Sequence, residues 1–163
     1  MKHSLAVGGW ICAAALAAVL VWRAAPQVQA ASQDMRYLTP HGFAPPVARY
    51  SYAVGVPAGQ ELIFVSGQGG EDSSGVLVSQ DVVAQTRQTM ENLKRVLEDA
   101  GSDFAHVVKM NIYLTDMDHM PELRKVRDAY LDPKRAPAMT TAKVLRLVGD
   151  IKVEIDVIAV RSR

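Results

Sequence analysis

The stretch from Ala136 to Val160, APAMTTAKVLRLVGDIKVEIDVIAV, sets the tightest limits on what this chain can fold into. It holds two β-type runs, Thr140–Leu147 and Ile151–Val160, which read as a strand pair joined at Gly149-Asp150. Side chains alternate across a strand, so Val153, Ile155, Val157 and Ala159 share one face of the second run. Lys152, Glu154, Asp156, Ile158 and Val160 share the other. That second face carries two carboxylates and then two apolar residues. It is either an amphipathic strand with solvated acids or the edge of a buried interface. At such an edge the pKa of a carboxylate and the water beside it become chemically useful.

The sequence upstream supplies the partners of this strand. Arg49–Val56 reads as a strand with Tyr50, Tyr52 and Val54 on one face, followed by a turn at Pro57-Ala58-Gly59. Glu61–Gly69 reads as a second strand and Val76–Val78 as a short third one. A helix is expected from Ser79 or Asp81 to Gly101. Val82, Thr86, Met90, Leu93 and Leu97 recur at helical steps and make one buried stripe. Val107–Leu114 is the next strand. A second helix runs from about Pro121 to Tyr130 with Leu123, Val126 and Tyr130 inward, and Asp132-Pro133 breaks it. The order is β-β-β-α-β-α-β-β. Two helices against one mixed sheet make an α+β domain. Two helices cover only one face of a sheet, so the apolar residues on the other face of the last strand predict burial between subunits.

The N-terminus is of a different kind. Met1-Lys2-His3 is a short basic head, Leu5 to Trp22 is unbroken apolar sequence, and Val28-Gln29-Ala30 is a small-residue cleavage pattern. Residues 1–30 read as a secretory signal peptide, which places the mature protein in the periplasm or outside the cell. The competing reading is an uncleaved membrane anchor, since the apolar run is just long enough to span a bilayer. Residues 31–46 read as an irregular lead-in, and residues 47–163 as the domain. Cleavage would remove the only cysteine and both tryptophans, leaving no disulfide, thiolate nucleophile or cysteine metal site.

A formal net charge of +1 argues for neither a nucleic-acid partner nor a strongly cationic one. The histidines at 41, 106 and 119 are scattered, with no pair at metal-ligand spacing. No phosphate loop or nucleophile elbow is present. No metal and no cofactor are expected.

Three stretches carry a family resemblance. They are FVSGQGG at Phe64–Gly70, QTRQTMENLKRVLEDAGSDFAHVVKMNIYLTDM at Gln85–Met117, and PAMTTAKVLRL with KVEIDVIAV at the C-terminus. Together they resemble the RidA/YjgF family of small enamine and imine deaminases, over about Ala44 to Arg161. The resemblance implies a chorismate-mutase-like fold and a homotrimer with sheets facing inward and helices outward. It also implies a small-molecule ligand in the clefts between subunits, and hydrolysis of 2-iminobutanoate or 2-iminopropanoate with release of ammonia.

By the same resemblance Glu154 orients the attacking water, Asp156 occupies a second acidic position, and Tyr50, Ser66 and Gly67 line the cleft. Thr140 and Thr141 contribute backbone and hydroxyl groups there. Read alone, Glu154 is a solvated acid, Ser66-Gly67 a strand bulge, and Tyr50 a core or interface aromatic. One departure matters: the family pattern Pro-Ala-Arg here reads Pro137-Ala138-Met139. Methionine offers no charge and no bidentate donor for a substrate carboxylate. Two arginines are near enough in sequence to stand in. Arg127 sits where the family often has an asparagine, and Arg135 lies four residues before Met139. For each the alternative is a solvated surface charge. If the cleft binds without turning substrate over, the protein is instead a ligand-binding trimer.

Overall fold

The computed structural model describes residues 34–162, so the apolar leader lies outside the described residues. Eight elements follow in order. They are β1 (Arg36–Leu38), β2 (Ala53–Gly55), β3 (Leu62–Gln68), α1 (Val82–Asp99), β4 (Val107–Leu114), α2 (Met120–Arg127), β5 (Ala138–Lys143) and β6 (Val153–Val160). Strands β3-β6-β4-β5 form one mixed sheet, antiparallel except for the β4/β5 pair, while β1 and β2 form a separate two-stranded arm.

The C-terminal runs do not form the expected strand pair. β5 and β6 lie two places apart, with β4 between them. β6 pairs with β3 on one side and β4 on the other, and its residues Val153, Ile155, Val157 and Ala159 are all buried. A strand buried along one whole side gains most from a neighbour on each edge, and no two-residue hairpin turn joins β5 to β6 to force them together. Two further expectations change. The lead-in contributes β1, which pairs with β2 in the register Arg36↔Gly55 to Leu38↔Ala53. Val76–Val78 forms no strand; Leu77 makes only an isolated bridge to Glu71.

Helix α1 follows its sequence pattern closely. The Asp81 side chain accepts a hydrogen bond from the Ala84 amide at 2.8 Å, which satisfies one of the free donors of the first turn. Gly101 at φ +74° ends the helix, and the Ser102 amide donates to the Leu97 carbonyl at 2.7 Å. Met90, Leu93 and Leu97 are wholly buried against Val65, Ile155 and Val157 of the sheet. Burial of each such side chain contributes about 1.5–3 kcal/mol. Helix α2 is shorter than expected and stops at Arg127, with Tyr130 beyond its end. There Tyr130 packs edge-on to Phe104 and donates to Glu91 Oε1 at 2.7 Å.

Both helices cover the same face of the sheet. The other face is open in the single chain. Across it run three rows: Phe64, Ile158 and Lys109; Asp156, Asn111 and Thr140; and Glu154, Tyr113 and Ala142. Phe64 is 73% exposed and Leu62 45%.

Candidate functional site

The register of β3 against β6 slips between Val65 and Gln68: three steps along β3 match two along β6. This is a β-bulge, and Ser66-Gly67 is the dipeptide inside it. The Glu154 carboxylate lies directly over Gly67. A Cβ built on Gly67 would stand 2.1 Å from Glu154 Oε1 and 2.7 Å from its Cδ. Only glycine lets the acid come so close to the strand backbone. Glu154 is half-buried, and its carboxylate makes no hydrogen bond or ion pair to any described residue. It is therefore an open acceptor at the mouth of a cleft of about 500 Å³, lined by Gly67, Gln68, Gly69, Asn92, Arg95 and Glu154 among others.

The backbone around this acid is tied down on both sides. Asp156, two residues on, accepts from Asn111 Nδ2 at 2.9 Å. A hydrogen bond to Asp156 raises the Tyr113 pKa, helped by the Asp156 and Glu154 charges, so the phenol keeps its proton beside them. Asn92 on α1 donates to the carbonyls of Gly69 at 3.1 Å and Glu71 at 2.8 Å, tying the exit of β3 to the helix. Gln85 is fully buried and works from both ends of its amide. It donates to the Ser79 carbonyl at 2.8 Å and accepts from the Lys152 amide at 2.7 Å, just ahead of β6. The sequence reading missed both residues. Their signal was a polar side chain on or beside the apolar stripe of α1.

The other candidates fall into a second group around β5. Ser51 donates through its amide to the Pro137 carbonyl at 3.0 Å and through its hydroxyl to the Ala136 carbonyl at 2.7 Å, which brings the Tyr50 segment alongside the start of β5. The Tyr50 ring packs edge-on to Tyr52 at 5.7 Å. Thr140 faces the same side of the sheet as Glu154, and its hydroxyl accepts from Lys109 Nζ at 2.7 Å. Met139 and Thr141 alternate with it and pair with Met110 and Ile112, so they face the helix side. The Met139 side chain packs against the hydrophobic core there. Within one chain, Met139 and Glu154 thus point to opposite faces.

Arg127 does not reach toward Glu154. Its side chain is 3% exposed, and its Nε and Nη2 donate to Asp128 Oδ1 at 2.9 and 2.6 Å. Burial at the end of α2 leaves the guanidinium no path to solvent. Arg49 closes the same corner by donating to the carbonyls of Asp128 and Leu131.

Gly67 in its bulge lies beneath a glutamate without a hydrogen-bond partner among the described residues, on the sheet face away from the two helices. Residues 42–161 match the family model described as Endoribonuclease L-PSP. The chain is 35% identical to the 2-iminobutanoate/2-iminopropanoate deaminase of Salmonella typhimurium over 118 residues, covering 71% of this chain and 91% of that protein.

The chain belongs to the RidA/YjgF family.

Other RidA/YjgF relatives agree. Protein DfrA of Myxococcus xanthus is 44% identical over 115 residues, which is 70% of this chain and 86% of that protein. A YjgF-family protein of Neisseria meningitidis superimposes with a TM-score of 0.57 at 35% identity, over 80% of this chain and 98% of that one. A Rid-family protein of Yersinia pestis, of unknown function, superimposes with a TM-score of 0.69 at 28% identity, over 77% and 98%. The architecture is accordingly the chorismate-mutase-like α+β fold of the RidA/YjgF family.

Proposed function

We propose that this RidA/YjgF protein hydrolyses small reactive imines and enamines to the carbonyl compound and ammonia, in clefts between the subunits of a homotrimer. Glu154 holds the water. As the water oxygen adds to the C=N carbon, the carboxylate accepts its proton and the imine nitrogen becomes an amine. Transfer of that proton to nitrogen, and of the new hydroxyl's proton back to Glu154, lets ammonia leave and the carbonyl form. The observation that carries this reading is the Glu154 carboxylate seated over Gly67 without a hydrogen-bond partner among the described residues. The 35% identical relative named as an imine deaminase supports the substrate class.

The opposite-facing side chains of Met139 and Glu154 support a two-chain site, with the bulge and Glu154 from one copy and the edge strand β5 from the next. The exposed Phe64 and Leu62 support burial of the open face in that assembly. The leader supports export, with a mature chain that starts at Ala31 in the periplasm or beyond; N-terminal sequencing of the secreted protein tests this. Endonucleolytic cleavage of RNA, which the family description names, is disfavoured at this cleft. Glu71, Asp72 and Glu154 line it against Arg95, the single cation among its described lining residues, and such a wall repels phosphate.

The test is ammonia release from imines generated in place by an amino-acid oxidase. Wild type should release ammonia faster than the uncatalysed reaction, and Glu154→Gln should not. Met139 favours a second reading, since a neutral side chain stands where the family pattern has its arginine: a trimer that binds a small ligand without turnover. Thermal stabilisation by substrate analogues, with no ammonia from wild type or from Met139→Arg, would establish that reading instead.

A further inference from the structure

A second cavity, of about 600 Å³, lies at the other end of β6 from Glu154. Six residues of strand separate Glu154 from Val160 on the cavity wall, roughly 20 Å. The sequence shows no basic run, yet the fold gathers basic side chains here from three separate stretches. They are His106 ahead of β4, Lys134 and Arg135 ahead of β5, and Arg161 after β6. Asp34 is the one acid among the described lining residues.

Two of these bases are already engaged. Arg161 Nη1 donates to Glu61 Oε2 at 2.9 Å, and His106 Nδ1 lies 2.7 Å from Asp103 Oδ1. The side chains of Lys134 and Arg135 make no hydrogen bond or ion pair to any described residue. The Asp132 turn presents both. Its carboxylate accepts from the Lys134 amide at 2.8 Å, and its carbonyl accepts from the Arg135 amide at 3.1 Å. Tyr37 lines the cavity from β1, with its hydroxyl donating to the Ala105 carbonyl at 3.5 Å. Burial lifts its pKa above the usual value against the pull of Arg135, so it adds no negative charge there at pH 7. Met35, Pro57 and Val160 supply an apolar wall.

Lys134 and Arg135 put two cations without an ion-pair partner among the described residues at one cavity, and an anion between them relieves their repulsion. The guanidinium fork of Arg135 fits the paired oxygens of a carboxylate or phosphate, and Lys134 adds a mobile point charge. The volume is that of a metabolite site. We infer that this cavity binds a small organic anion, a carboxylate or phosphate ester. Its charged head is held by Lys134 and Arg135, and a compact apolar body rests against Met35, Pro57 and Val160. The site is separate from the Glu154 cleft and does not depend on the reaction assigned there.

Isothermal titration of the purified protein with phenyl phosphate, benzoate and inorganic phosphate, at physiological ionic strength, tests this and separates the two head groups. Wild type should bind phenyl phosphate or benzoate at one site per chain. Lys134→Gln with Arg135→Gln should weaken that binding at least about tenfold while leaving the melting temperature unchanged. Glu154→Gln should bind as wild type does. The inference is overturned if neither organic probe binds, or if the double variant binds as tightly as wild type. Inorganic phosphate binding as tightly as phenyl phosphate would also overturn it, since the apolar wall would then contribute nothing.

Discussion

Adding one methyl group at Gly67 should separate catalysis from stability. In Gly67→Ala the new Cβ would sit 2.1 Å from Glu154 Oε1. Carbon–oxygen contacts relax at roughly 3.3 Å, so the carboxylate must retreat by about 1.2 Å. Glu154 is half-exposed and has no partner to lose, so it can swing outward with little cost. Gly67 has no positive φ, and alanine suits its backbone. The folding free energy should therefore change by less than about 1 kcal/mol. Water orientation is another matter. A displacement of about 1 Å in a positioned catalytic group costs up to about 100-fold in rate, or about 2.7 kcal/mol of barrier. The assay is ammonia release from an oxidase-generated imine, beside a urea denaturation curve. In a Glu154→Gln background Gly67→Ala should have no further effect, because the group it displaces is already disabled. Wild-type rates in Gly67→Ala, or equal losses with and without the carboxylate, would refute the role given to this contact.

Other expectations follow from the same coordinates. Met139→Arg should raise ammonia release from 2-iminobutanoate well above wild type, and Met139→Arg with Glu154→Gln should not; a folded, inactive Met139→Arg would favour the binding reading. Arg127→Ala should lower stability by roughly 2–3 kcal/mol in urea, because it strips a buried guanidinium from Asp128; an unchanged midpoint would contradict the structural role seen here. Burial and the hydrogen bond to Glu91 push the Tyr130 pKa from 10.0 up to about 12, so the folded chain keeps this proton where the unfolded chain loses it. The stability this contributes is complete below about pH 10 and is lost as pH rises to about 12. Solvent screening of this partly exposed pair limits it to about 1 kcal/mol. Melting curves of wild type and Tyr130→Phe should converge across that window. Phe64→Glu should convert a trimer seen by light scattering into smaller species, and a wild-type monomer at micromolar concentration would refute burial of the open face.

Periodicity made the helix α1, the strand β4 and the inward face of β6 legible before any coordinates. Val82 to Leu97 and Val153 to Ala159 repeat at 3.6 and 2 residues, and their burial is as the repeats require. Strand order was not legible, because alternation fixes which face a residue takes and says nothing about which strand lies beside it. Hence β5 and β6 read as a pair. Arg36–Leu38 escaped notice because three residues are too few to show a period. At the site, Glu154 and Gly67 were named from resemblance and a bulge at Ser66-Gly67 from the residues, but their direct contact depends on β6 lying beside β3, which alternation does not reveal. Arg127 read as a free cation because its partner is its own neighbour, Asp128, and burial rather than spacing makes that pair. The Lys134–Arg135–Arg161 cavity was invisible for a similar reason, as its walls come from distant parts of the chain.

The place of β6 also bears on how the chain is made. It follows β3, β4 and β5 in the chain, yet it is the strand that holds β3 to β4. Until residues 153–160 emerge, β3 has no neighbour in the main sheet and β4 is paired only with β5. At about 5–20 residues per second, β3 waits roughly five to twenty seconds for its partner strand. Removing residues 153–160 would leave the β4/β5 pair and an unpaired β3 rather than a smaller sheet.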